Sequence, residues 1–235
     1  LTVNPEKQAA IEIERLLKFP GFLKRDSFAK GRVEIVELRV DERSRLCNVA
    51  LSELNRVIKC RVLICAVLRR GDVVAPDGSF VLREGDRIFV TASTEILATL
   101  LDNLGIITKK VNHVMICGGG RVSYYLAQQL EKDGMTVRLI EKDPKHCEEL
   151  AALLPKTEII NDDASNTFVL KRENLESCDA LVTATGMDEL NMIISLYGTK
   201  HGVSQVITKL GHMENGSMID QLPIGSTIWP KDLCC

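Results

Sequence analysis

The stretch VMICGGGRVSYYLA, from Val114 to Ala127, joins an apolar run to three glycines and then to a segment of helical spacing. The apolar run suits a buried strand, and the glycines suit a sharp turn out of it. A strand, a glycine loop and a helix start in succession present backbone N–H groups to an anion, usually a nucleotide phosphate. Gly118 permits the turn, and Gly120 lets a pyrophosphate approach the backbone. Ser123 stands where the G-x-G-x-x-G pattern has its third glycine. That position governs helix-on-strand packing, and serine is nearly as small.

Working outward from this loop, the chain alternates strand and helix from Val111 onward. VNHVMIC, TVRLIE, TEII, DALVTAT and SQVITKL read as strands. RVSYYLAQQLEKDG, PKHCEELAALLP, SNTFVLKREN and DELNMIISLYGTKHG read as the helices between them. This alternation predicts an α/β, Rossmann-like domain with a parallel sheet and helices on both faces. Glu141 ends the second strand about 20 residues beyond the glycines, where a carboxylate can take both hydroxyls of an adenosine ribose. It would repel a 2′-phosphate, which favours NAD or an adenine nucleotide over NADP. Asp163 and Ala164 follow the third strand, beside the expected adenine. Ala184 and Thr185 follow the fourth, near the pyrophosphate or the second ribose. Arg121 can pair with phosphate or with a neighbouring subunit's carboxylate. Asp162 reads as a solvated neighbour, and Asp188, Glu189 and Asn191 as caps of the helix they open.

The first half has a different grammar. NPEKQAAIEIERLLKFPG is helical, with Asn4 as cap, Pro5 in the first turn, and Ala9, Ile13, Leu16 and Leu17 on one face. FLKRDSFAKG reads as a connector. RVEIVELRV at 32–40 reads as a strand with a bulge expected at Ile35-Val36. Three strand signals follow, in CRVLICAVLRR, DVVAP and SFVLREGDRIFVTA, before a helix over 94–104. This is a small α+β module preceding the Rossmann-like domain. TVNPEKQAA near the start and TIWPKDLCC near the end share a Thr-β-branched-x-Pro pattern. The repeat predicts that residues 1–20 end an earlier α/β domain and that the given sequence is an internal piece of a longer chain.

Composition narrows the function. With 30 basic and 32 acidic residues there is no basic excess pointing to nucleic acid or to an anionic membrane surface. The eight cysteines form no CxxC pair and no Cys/His spacing suited to zinc, and their apolar company predicts reduced, buried thiols in a cytosolic protein. The longest apolar run, Val62 to Leu68, is the length of a strand and not of a membrane helix. None of the four histidines has a carboxylate or nucleophile at a telling spacing. The glycine loop binds, and nothing near it reacts.

VMICGGGRVSYYLAQQL, VRLIEKDP, IINDDASN and DALVTATGMDELNMI together resemble the nucleotide-binding N-terminal subdomain (TrkA-N) of RCK, or KTN, domains. VLRRGDVVAPDGSFVLREGDRIFVTAS resembles their C-terminal subdomain (TrkA-C). The resemblance implies three parts: residues 1–25 as the crossover helix of a preceding unit, 30–108 as a TrkA-C subdomain, and 111–235 as a TrkA-N subdomain truncated at its end. It places the nucleotide contacts at Gly118, Gly119, Gly120, Arg121, Val122, Glu141, Lys142, Asp163, Ala164, Ala184, Thr185 and Lys209. Asn161-Asp162 departs from the family's common Gly-Asp pair before Asp163. The resemblance further implies a non-enzymatic, cytoplasmic regulator at the inner face of the cell membrane. It would form a homo-oligomer, from dimer to ring, on a TrkH/TrkG-like potassium-translocating subunit, and respond to NAD(H) or to ATP, ADP or AMP. The alternatives are an NAD-dependent oxidoreductase lacking its substrate domain, and the regulatory module of another ion channel or antiporter.

Overall fold

Asn4 opens helix α1 (Pro5–Lys18) by accepting the Lys7 N–H on its side-chain oxygen at 2.9 Å, and Pro5 fills the first helical position, where no N–H is needed. The structure is a computed structural model, and it describes residues 4–18, 24–28, 33–42, 44–104, 110–211, 219 and 222–231. Thr2, Pro20, Gly21, His212, Cys234 and Cys235 lie outside the described residues. The chain divides into two units: residues between Phe19 and Lys109, and α1 together with residues from Lys110 onward.

The first of these contains β1 (Lys24–Phe28), β2 (Val33–Arg39), α2 (Leu54–Ile58), β3 (Leu63–Arg69), β4 (Asp72–Val74), β5 (Arg87–Ala92) and α3 (Thr94–Leu104). The strands pair antiparallel in the order β1-β2-β5-β3-β4. Alternate residues Val36, Leu38, Ile88 and Val90 are buried in one cluster with Ile58 of α2 and Leu97, Leu100 and Leu101 of α3. Each such side chain contributes about 1.5–3 kcal/mol on burial.

Three expectations are corrected here. The supposed connector contains β1, an edge strand whose residues KRDSF lack apolar alternation and whose register is set by backbone pairing with β2. No bulge lies at Ile35-Val36, where β2 runs in unbroken register with β1 and β5. The irregularity is in β3, between Ile64 and Ala66, so Cys65 is the extra residue and is exposed despite its apolar neighbours. Of the third strand signal only Arg87–Ala92 pairs as a strand, while Val81 makes an isolated bridge to Ala50.

The turn before β5 is fixed by charge. Asp86, 1% exposed, accepts the Arg69 guanidinium on both oxygens at 2.7 Å and the Arg83 N–H at 2.7 Å. Arg69 also lies over the Phe80 ring at 4.5 Å. Against the cost of burial, the Arg69 guanidinium and the Arg83 amide hold Asp86 below the usual carboxylate range.

The other unit is the parallel layer. It runs β6 (His113–Cys117), α4 (Arg121–Lys132), β7 (Thr136–Glu141), α5 (Pro144–Leu153), β8 (Glu158–Asn161), α6 (Thr167–Arg172), β9 (Ala180–Thr183), α7 (Asp188–Lys200), β10 (Gln205–Lys209) and β11 (Ser226–Ile228). The sheet order β8-β7-β6-β9-β10-β11 is parallel throughout. The chain therefore reverses its direction of travel across the sheet between β6 and β9, the switch point where ligands of doubly wound folds bind. Helix α1 packs here, burying Ala9, Ala10, Ile13, Leu16 and Leu17 in a cluster with Leu126, Ala127 and Leu130 of α4. Gln205 donates to the Leu16 carbonyl at 2.6 Å, satisfying one of the helix-end acceptors. Cys117, Cys147 and Cys178 are buried free thiols, and burial pushes Cys117 up to about 12. No helix of the described residues is long and apolar enough to cross a membrane.

Candidate functional site

The loop after β6 is shaped by contacts that leave no room for side chains. Gly118 has φ +98°, and a Cβ on it would lie 2.8 Å from the Ala184 carbonyl oxygen and from the Thr185 backbone. A Cβ on Gly119 would lie 2.8 Å from Leu150 and 2.9 Å from Glu141 Oε2. Gly120 differs: it borders a cleft, and a Cβ there would meet no protein atom within 4 Å. Its smallness is not demanded by the protein's own packing, which fits a position reserved for close approach of a ligand.

Glu141 is fixed by backbone donors. Its Oε2 accepts the Gly119 N–H at 2.7 Å and its Oε1 the Asp143 N–H at 2.9 Å. Helix α4 starts at once beyond Gly120, and its ladder begins with Tyr124 N–H to Gly120 O at 3.0 Å. The Arg121, Val122 and Ser123 amides thus belong to the first turn, which has no intrahelical acceptor for them. They carry the positive end of the helix dipole toward the loop.

The second wall is built by α7. Asn191, 0% exposed, accepts the Thr185 N–H at 2.8 Å and its hydroxyl at 2.7 Å, and donates to the Lys209 carbonyl at 2.9 Å. Asp188 accepts the Gly211 N–H at 2.9 Å. Asn191 and Asp188 therefore brace the loops after β9 and β10, while Asp188 and Glu189 place negative charge in the first turn of α7, as expected, although its N-cap Met187 makes no side-chain cap bond. The Lys209 ammonium donates to the Thr185 carbonyl at 3.0 Å, and its burial lowers its pKa against the pull of Asp188 and Glu6.

On the third side, Asn161 donates to the carbonyls of both Glu141 and Lys142 at 3.1 Å. The departure from a glycine at this position thus ties the end of β8 to the end of β7. Ser165 holds Asp163 below the usual carboxylate range, its N–H donating at 2.8 Å. Asp162 is not merely solvated: it pairs with Arg172 at 2.8 Å and accepts the Asp163 N–H.

The cleft enclosed by these loops measures about 770 Å³, within the ~300–1,000 Å³ usual for small-ligand sites. Gly118, Gly119, Gly120, Glu141, Lys142, Asp163, Ala164, Ala184, Thr185 and Lys209 all line it. Two expected residues do not. The Val122 side chain is 5% exposed in the core with α1, leaving its amide as the part that faces the loop. The Arg121 side chain is 80% exposed and reaches Glu6 of α1 at 3.8 Å.

His146 also lines the cleft, and sequence reasoning passed over it. Its Nε2 lies 2.8 Å from the Gly119 carbonyl oxygen and its Nδ1 3.2 Å from Glu149 Oε2. The i,i+3 spacing to Glu149 was the available signal. Among the described residues no group of three or more His, Cys, Asp or Glu side chains could hold a metal ion.

A parallel sheet of this order, with glycine loop, helix start and strand-end acid at its switch point, defines a Rossmann-type α/β domain, a class in which ligands bind at this edge. Residues 114–230 match the TrkA-N domain family and residues 35–105 the TrkA-C domain family. The chain thus carries a TrkA-C and a TrkA-N family domain, in that order. It is 31% identical over 234 residues to the Trk system potassium uptake protein TrkA of Haemophilus influenzae, covering 98% of this chain and 50% of that protein. A TrkA homolog of Archaeoglobus fulgidus is 31% identical over 231 residues, covering 98% and 52%. The chain thus spans about half the length of these curated relatives. Among solved structures, the GsuK RCK domain has the same fold with TM-score 0.60 at 17% identity, over 95% of this chain and 48% of that one. The GsuK channel bound to NAD gives TM-score 0.61 at 16% identity, over 97% and 40%.

Proposed function

We propose that this chain is a nucleotide-sensing module of a potassium uptake regulator, binding NAD(H), or an adenine nucleotide such as ATP, ADP or AMP, in the cleft between β6 and β9. The observation that carries this reading is the joint placement of the Gly118–Gly120 loop, the first turn of α4 and the Glu141 carboxylate on one cleft. In this reading the α4 amides hold the pyrophosphate, Glu141 and Lys142 the adenosine ribose, and Asp163 and Ala164 flank the adenine. Ala184, Thr185 and Lys209 face the second half of the ligand. Arg121, at the rim beside Glu6, links the phosphate region to α1. The names of the relatives support potassium uptake as the process served, and a structure of the same fold is described as bound to NAD.

The module acts by binding and not by catalysis. A ligand that favours one arrangement of the protein over another by about 1–3 kcal/mol shifts the population enough to regulate. Its partners are a TrkH/TrkG-like membrane subunit and further RCK units in an oligomer, which places it in the cytoplasm at the membrane's inner face. Helix α1, residues 5–18, serves as the crossover helix of the preceding unit.

Calorimetric titration with NADH, NAD⁺, ATP and ADP tests the reading, with Glu141→Ala as control. Saturable binding that the variant loses, with NADH recovered intact, is expected. Absence of binding by all four ligands, or steady oxidation of NADH, contradicts it.

A further inference from the structure

We propose that His146 is a positioning residue of the cleft: a protonated clamp on the Gly119 peptide that makes the glycine loop's hold on an anionic ligand depend on pH. The proposal rests on the nucleotide reading for its ligand, and on the geometry of α5 for the clamp.

The Gly119 peptide is held from both sides. Its N–H donates to Glu141 at 2.7 Å, and its carbonyl lies 2.8 Å from His146 Nε2. The other ring nitrogen lies 3.2 Å from the Glu149 carboxylate. Both nitrogens thus face acceptors. A neutral imidazole has one N–H and can satisfy only one of them, whereas imidazolium satisfies both. Gly119's carbonyl, then Glu149, raise the pKa of His146 above its ordinary value, and partial burial opposes them.

The charged groups around the ring agree with this assignment. Glu141 approaches from the end of β7 and Glu149 from α5 itself, and both favour the cation. Asp143 is engaged in capping α5, accepting the N–H groups of Lys145 at 3.0 Å and His146 at 3.4 Å. Lys142 lines the same cleft, and residues 118–120 of the loop carry no titratable side chain.

The direction of the effect follows from the sign of the shift. The clamp is complete below the ordinary imidazole value of about 6.5 and is lost as pH rises through the higher value of the folded protein. Protonation favours a phosphate-bearing ligand twice over, by fixing the loop that cradles it and by adding a positive charge beside it. Nucleotide affinity should fall about three- to tenfold across that titration, the scale of one partly exposed charge-assisted hydrogen bond.

The test combines two readouts on the whole chain between about pH 5.5 and about pH 8.5. Nuclear magnetic resonance follows the His146 ring and the Gly119 amide without ligand, and NADH and ADP affinities are measured alongside. His146→Gln keeps an N–H donor without titrating, and His146→Leu keeps neither. The expected result is a Gly119 amide that moves with the His146 midpoint, and an affinity that falls through the same midpoint. For NADH, whose pyrophosphate does not titrate in this range, both variants should show a flat profile, with Leu the weaker binder throughout. A Gly119 amide indifferent to His146 titration, or a wild-type slope that survives in both variants, overturns the proposal. If the amide follows His146 but neither nucleotide binds at any pH, the clamp stands, while the nucleotide reading and the proposed pH-dependent affinity both fail.

Discussion

The Gly119 N–H donates to Glu141 Oε2 at 2.7 Å, so the tip of the glycine loop and the acid closing β7 form one hydrogen-bonded unit. An acid at this position serves the protein before it serves any ligand. Glu141→Ala leaves the Gly119 and Asp143 amides without their carboxylate, at a cost of about 1–3 kcal/mol in stability. It should also weaken nucleotide binding about 10–100-fold, since a charge-assisted acceptor for the ribose is lost with it. Urea unfolding and calorimetry on the same samples separate the two effects.

Gly118 and Gly120 should respond oppositely to alanine. At Gly118 the new Cβ meets backbone atoms at 2.8 Å with φ at +98°, so Gly118→Ala should destabilise by about 3 kcal/mol or more. At Gly120 the Cβ meets nothing within 4 Å, so Gly120→Ala should leave stability within about 0.5 kcal/mol while reducing nucleotide affinity. Thermal melts with and without NADH check the pair.

Asn191→Ala should be among the costliest substitutions at the cleft. The buried amide joins Thr185 to the Lys209 carbonyl, and its removal strands several backbone groups, at about 2–4 kcal/mol. Asn191→Asp keeps the acceptor but not the donor to Lys209, and should recover only part of the loss in a denaturant titration.

Ser123 offers the reverse case. Its hydroxyl is fully buried and makes no hydrogen bond. Ser123→Ala removes an unpartnered polar atom without opening a large cavity, so stability should hold or rise by up to about 1 kcal/mol. A loss on that scale in urea unfolding would show that the hydroxyl has a role in packing.

Asp86 predicts an acid sensitivity in the other unit. Its folded pKa lies below the unfolded value of about 3.9, so its contribution is present above that value and is lost as pH falls through the folded one. Asp86→Asn should flatten that acid limb of the stability profile, and should destabilise at neutral pH by leaving Arg69 without its carboxylate. Hydrogen exchange of β3 and β5 amides at neutral and acidic pH reads this locally.

The parallel layer was legible because its signals are local: each strand is a short apolar run, and each turn carries glycine or a capping side chain. Glu141, Asp163 and Thr185 could be placed for the same reason, since the ends of consecutive strands share one sheet edge. Val122 and Arg121 show where this fails. Sequence puts both in the first helical turn but cannot say that one points into the α1 interface and the other to Glu6. His146 and Asn191 were undervalued because their partners, Gly119 and Lys209, are distant in sequence. In the other unit, β1 carries charges in place of an apolar pattern, and the Cys65 bulge moves a residue in an apolar run out to solvent.

Amide resonances of the chain, assigned and followed during NADH addition, would locate the ligand residue by residue. The expected result is saturable shifts concentrated at Gly118–Ser123, Glu141–Lys142, Asp163–Ser165 and Ala184–Gly186, absent in Glu141→Ala. Shifts confined to residues 24–104, or none at saturating NADH, ATP or ADP, would contradict a nucleotide site between β6 and β9.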